Sequence, residues 1–107
     1  MNPDGLYTQF DNIFFEKTRL SIITILYKEQ SVSFNRFKKL LGATDGALYT
    51  HLKKLIAADY IKNKKTLSGE TAETVYSLAK NGKERFKRYL TFLEQVLTGG
   101  PEGGMDL

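Results

Sequence analysis

Two amphipathic segments that sit almost end to end constrain this chain more than any other feature. In "SFNRFKKLLGATDGALYTHLKKL", Ser33 reads as a helix N-cap, and Phe34, Phe37, Leu40 and Leu41 fall on one helical face. Gly42 can close that helix in a left-handed conformation. Two residues later Thr44 can cap a second helix, with Asp45 favourable near its positive end. Leu48, His51, Leu52, Leu55 and Ile56 form the inward stripe of this second helix, which fades around Ala58 and Asp59. Its first turn carries Gly46 and Ala47, although glycine inside a helix costs roughly 1 kcal/mol relative to alanine. A slim turn of this kind fits the close approach of something large. The plainer alternative is a solvated helix face with an accidental glycine.

The flanking sequence supplies the rest of the plan. In "FFEKTRLSIITILYKE", Phe15, Leu20, Ile22, Ile23, Ile25, Leu26 and Tyr27 keep helical spacing. The β-branched run would also suit a strand, but segment length and the charged flank predict a helix. From Tyr60 the pattern loosens into "YIKNKKTL" and "TAETVYSL", a predicted hairpin with its turn at Ser68-Gly69. "AKNGKERFKRYLTFLEQVL" predicts a long final helix from near Lys80. Residues 1–12 read as an arm with Leu6, Tyr7 and Phe10, residues 13–97 as the folded domain, and the Gly-rich residues 98–107 as a disordered tail. The fold class is therefore mainly α with a small β-hairpin, in the order helix, helix, helix, hairpin, helix. Two helices on a very short turn followed by a hairpin is the winged helix-turn-helix plan.

Composition narrows the function. The 107 residues suit one domain, and the formal net charge of +4 is compatible with a polyanionic partner. With no cysteine there is no disulfide framework and no thiolate nucleophile, which fits a cytoplasmic location. No apolar run is long enough to span a bilayer, so no membrane role is expected, and the N-terminus lacks the pattern of a secretory signal. His51 is the only histidine and lies on an inward stripe, so it reads as a packing residue rather than a ligand or base. Nothing resembles a phosphate-binding loop, a triad or a carboxylate pair. We therefore expect no enzymatic activity, no metal and no cofactor.

The stretches "RLSIITILYKEQSVSFNRFKKLLGATDGALYTHLKKLIAADYIKNKK" and "TVYSLAKNGKERF" resemble the winged-helix transcriptional regulators of the MarR/ArsR-like group, in its small single-domain form. The resemblance covers roughly residues 13 to 97. It implies a dimeric DNA-binding protein whose recognition helix, Thr44 to about Ala58, lies in the major groove. Its wing, about Lys62 to Val75, would touch the flanking backbone. It also leaves room for a small-molecule effector at a dimer interface, which the sequence does not identify. Three positions depart from the family pattern. Glu70 and Glu73 stand on the far side of the wing, where basic residues are frequent, which speaks against minor-groove insertion. Ala79 replaces the usual threonine cap of the last helix.

Carried onto this chain, the outward positions of the recognition helix are Asp45, Gly46, Ala47, Tyr49, Thr50, Lys53 and Lys54. A major groove about 12 Å wide admits a helix whose entering turn is slim, which is what Gly46 and Ala47 provide. Lys62, Lys64 and Lys65 would contact phosphates, as would Arg36 on the preceding helix. The alternative for the lysines is a charged edge strand that resists aggregation. On the last helix, Phe86, Leu90, Leu93 and Leu97 make one stripe, and Tyr89, Phe92 and Val96 make another. One stripe can pack on the domain and the other on a second copy, with Phe10 and Phe14 of the arm helping, or the arm alone can cover it. The competing functional class is a winged-helix protein-interaction module within a larger assembly, which the acidic wing would suit.

Overall fold

The structure is a computed structural model that describes residues 11–98, and it opens with a capped turn. Asp11 accepts a hydrogen bond from the Ile13 N–H at 3.0 Å and starts a 3-10 turn, Asn12–Phe15. Where the sequence predicts one helix from Phe14 onward, the backbone breaks at extended Glu16. The Glu16 carboxylate accepts from the Arg19 N–H at 2.9 Å and caps a separate helix, α1 (Lys17–Glu29). The β-branched run is helical, and Ile22, Ile23 and Leu26 are buried as the stripe requires. Residues 1–10 of the arm, Phe10 among them, and residues 99–107 of the Gly-rich tail lie outside the described residues, while Asp11 and Asn12 belong to the opening turn and Thr98 to the last helix.

Gln30, at φ 73°, ends α1 and turns the chain into β1 (Ser31–Ser33), a strand that the sequence does not announce. Ser33 then caps α2 (Phe34–Leu41) by accepting from the Arg36 N–H at 3.1 Å, and Gly42 closes it at φ 62°. Leu40 departs from its predicted stripe: it is exposed, while Phe37 is fully buried. Thr44 caps α3 (Asp45–Ala57), accepting from the Ala47 N–H at 3.2 Å.

The end of α3 is built with care. Tyr60 N–H reaches back to the Leu55 carbonyl at 2.9 Å, and Asp59 N–H to the Ile56 carbonyl at 3.0 Å. These two bonds define a Schellman motif, whose left-handed residue is usually glycine. Here it is Asp59, at φ 63°. Its carboxylate also sits at the negative end of the helix. Asp59→Gly is therefore expected to raise stability by about 1 kcal/mol, read as a higher midpoint in urea with an unchanged slope.

β2 (Ile61–Ser68) and β3 (Thr71–Leu78) pair antiparallel, and β1 adds to the other edge of β3, giving the order β1-β3-β2. The hairpin loop is Gly69-Glu70, one residue later than predicted, because Ser68 still pairs with Thr71. Gly69 has φ 66° and Glu70 is not left-handed, as a type II′ hairpin requires. The last helix, α4 (Lys80–Thr98), starts where predicted without a threonine cap.

One residue joins these elements. The Tyr60 carbonyl accepts from the Ala79 N–H at 3.0 Å, and its hydroxyl donates to Asp11 Oδ2. Burial, then the Asp11 carboxylate, pushes the Tyr60 hydroxyl up to about 12. Phe14 packs edge-on against Tyr60 and Phe86, each at 5.7 Å between centroids, and lies 4.8 Å from Tyr89. The initial turn, the end of α3 and the start of α4 thus share one aromatic cluster. No buried side-chain nitrogen or oxygen among the described residues lacks a hydrogen bond.

Candidate nucleic-acid interface

α3 is pinned by Leu48, Leu52 and Leu55, all buried against α1 and the sheet. Helical geometry therefore turns Gly46, Thr50, Lys53 and Ala57 directly outward, with Asp45 and Tyr49 on one flank and Ala47 and Lys54 on the other. All of these are exposed. Beyond its own helix backbone, a Cβ placed on Gly46 would meet no atom of the described residues within 4 Å. Internal packing thus gives no reason for the glycine.

Local bonds fix the chemistry of this face. Thr50 Oγ1 donates to the Gly46 carbonyl at 2.8 Å, so the hydroxyl hydrogen is already used. Asp45 Oδ1 is 2.6 Å from Lys38 Nζ on α2, which neutralises an acid at the leading end of α3. Tyr49 is 58% exposed. Burial raises the hydroxyl pKa of Tyr76 on β3, and Tyr49 adds to the rise.

His51 sits at the edge of the inward stripe, half-buried, with Nδ1 3.5 Å from Glu16 Oε2. Burial acts to raise the Glu16 carboxyl pKa. The amides of Thr18 and Arg19, with His51, outweigh it and hold the carboxyl below its ordinary value. The sequence reading missed this carboxylate because it comes from another helix. Among the described residues no group of three or more His, Cys, Asp or Glu could hold a metal ion.

The cations divide into sets that the sequence reading lumped together. Arg36 is held by Glu29, with Nε at 3.0 Å and Nη2 at 2.7 Å from the same oxygen. On β2, the register pairs Asn63 with Tyr76, Lys65 with Thr74 and Leu67 with Ala72, all on the core side of the sheet. That is the side on which α2 and α3 lie, as the 6.1 Å contact between Phe37 and Tyr76 records. Lys62 and Lys64 pair with Ser77 and Val75 on the opposite side, where Thr66 pairs with Glu73. The hairpin face nearer α3 therefore carries Lys65 and exposed Leu67, and Glu73 points the other way. Strand alternation from buried Ile61 already contained this division.

This arrangement of helices, hairpin and sheet is matched by the family model described as winged helix DNA-binding domain, over residues 18–97. The chain belongs to that family. A relative in sequence is an uncharacterized protein from Methanocaldococcus jannaschii, 33% identical over 78% of this chain and 91% of that protein. Among solved structures, a transcriptional regulator homologue from Pyrococcus horikoshii superposes with a TM-score of 0.79 at 27% identity, covering 90% of this chain and 96% of that one. Reduced AbfR bound to DNA, a Staphylococcus epidermidis protein, shares the fold at 14% identity and a TM-score of 0.68, over 86% of this chain and 66% of its own. The Pyrococcus horikoshii neighbour is a transcriptional regulator homologue, in agreement with the regulator resemblance read from the sequence.

In this winged helix, α4 divides its apolar residues differently from the two predicted stripes. Phe86 and Tyr89 are buried in the aromatic cluster against Phe14, and Phe92 is buried beside Tyr89. Leu93 and Val96 are half-buried, and Leu90 and Leu97 are exposed at 44% and 65%. The winged-helix core also depends on Gly82, which sequence reading passed over. A Cβ there would lie 1.9 Å from the Tyr60 carbonyl oxygen.

Proposed function

We propose that this protein is a cytoplasmic, dimeric transcriptional regulator, acting as a repressor, that binds double-stranded DNA with α3 in the major groove. The observation that carries this reading is the leading turn of α3. It is exposed, and its glycine is unexplained by packing within a winged helix DNA-binding domain. Gly46, Ala47, Tyr49 and Thr50 face base edges, while Lys53 and Lys54 follow the phosphates. On the wing, Lys65 takes the nearest backbone, with Lys62 and Lys64 outside it. Arg36 contributes once released from Glu29.

In vitro selection from random duplex DNA at about 0.15 M salt tests this. The expected result is an inverted repeat with half-sites about one helical turn apart. No enrichment would move the reading to the protein-interaction class. On the selected duplex, Lys65→Ala should lower the magnitude of the log K against log salt slope by about one, and Lys64→Ala by less. Equal slopes for the two would mean that both wing faces meet the backbone alike.

The second subunit is placed on α4 because Leu90 and Leu97, one face seven residues apart, remain exposed beside Leu93 and Val96. A Leu90→Glu, Leu97→Glu double variant is expected to sediment as a folded monomer and to bind the inverted repeat at least about tenfold more weakly. An unchanged dimer would place the interface elsewhere.

A further inference from the structure

If α3 lies in a major groove, its chemistry restricts what it can read. Asp45–Ala57 contains no Arg, Asn or Gln, so the paired hydrogen bonds of Asn or Gln to adenine are not available, and a paired contact to guanine is left to Lys53 and Lys54, beyond the first two turns. The Thr50 hydroxyl hydrogen is spent on the Gly46 carbonyl at 2.8 Å, and Asp45 is held by Lys38. Apart from the Tyr49 hydroxyl on one flank, what the first two turns offer a groove is methyl groups. Ala47 presents its Cβ and Thr50 its Cγ2, three residues apart and therefore adjacent on the helix. Gly46 adds no side chain between them and whatever approaches. In the major groove only thymine among the four bases carries a methyl group, and alanine and threonine methyls are its natural contacts.

We propose that Ala47 and Thr50 read thymine 5-methyl groups, so that each half-site carries thymine at the positions facing the first two turns of α3. The inference rests on the DNA-binding reading above and deepens it. Lys53 lies further along the helix and contributes charge, and Tyr49 reads from the flank it shares with Asp45.

Deoxyuridine gives a direct probe, since it pairs as thymine does but lacks the methyl. In the selected duplex each thymine is replaced singly, and binding is followed by fluorescence anisotropy. Replacement should weaken binding about three- to fivefold at one or two positions in each half-site, the effect of leaving one methyl unburied. Thr50→Ser keeps the hydroxyl and removes the methyl, so it should bind thymine and uracil duplexes equally at one of these positions. Ala47→Gly should do so at the other. If the selected duplex is preferred over a scrambled one but every uracil replacement is silent, methyl reading is overturned and the regulator stands. If no duplex is preferred, both readings fall.

Discussion

Gly82→Ala is expected to remove about 3 kcal/mol of folding stability, at the upper end of what overpacking costs. The added Cβ would lie 1.9 Å from the Tyr60 oxygen, 2.7 Å from its carbonyl carbon and 2.8 Å from its Cα. These are backbone atoms and cannot rotate away. The first turn of α4 must lift, which strains the 3.0 Å bond from Ala79 N–H to Tyr60 and the packing of Phe86 and Tyr89 behind it. Better helix propensity for alanine opposes this by at most about 1 kcal/mol. Domains of this size have about 5–15 kcal/mol in total. The loss should appear as a fall in Tm of about 12 to 24 °C and a lower urea midpoint. A loss below about 1 kcal/mol would mean that α4 can move off Tyr60 freely.

Gly46→Leu should do the reverse: leave folding intact and abolish tight DNA binding. A Cβ at Gly46 meets nothing within 4 Å, and leucine is the better helix former by up to about 1 kcal/mol. Stability should stay level or rise. The same side chain would stand on the outward line of α3 with Thr50 and Lys53, between the helix and the groove floor. Specific sites are bound typically about 10³ to 10⁷ times more tightly than random DNA. Pushing the helix outward should erase most of that margin, so affinity for the selected duplex should fall at least about a hundredfold. Binding to random duplex, carried by the lysines, should change little. Retained affinity in a folded Gly46→Leu protein would show that α3 does not enter the groove by this turn.

These two glycines also mark where sequence reading worked and where it stopped. Ser33, Gly42 and Thr44 were legible because caps and left-handed closures are written in adjacent residues, and all three act as read. The buried stripe of α3 followed from periodicity alone. Gly46 raises a question that the structure leaves in the same form: no packing among the described residues needs it. Gly82 gave no such signal, because its reason is the carbonyl of Tyr60, which only the fold brings beside it. β1 was missed for the same kind of reason. Three residues cannot show a strand period, and the partner strand begins beyond α3 and β2. Phe86, Tyr89 and Phe92 were assigned to the dimer interface, but the 3-10 turn folds Phe14 onto their side of α4. Lys65 parts company with Lys62 and Lys64 by simple alternation, which the sequence itself contains.

Tyr60 has a mechanical consequence. It leaves the end of the recognition helix, starts the wing, and meets the first turn of α4 backbone to backbone. In a dimer joined through α4, the distance between the two reading heads is therefore gauged at this one joint in each subunit. The pair behaves as calipers with locked hinges, and a shift of α4 at its distal end is delivered to the DNA as a change of span. Such a protein would tolerate base changes within a half-site more readily than a single base pair inserted between them.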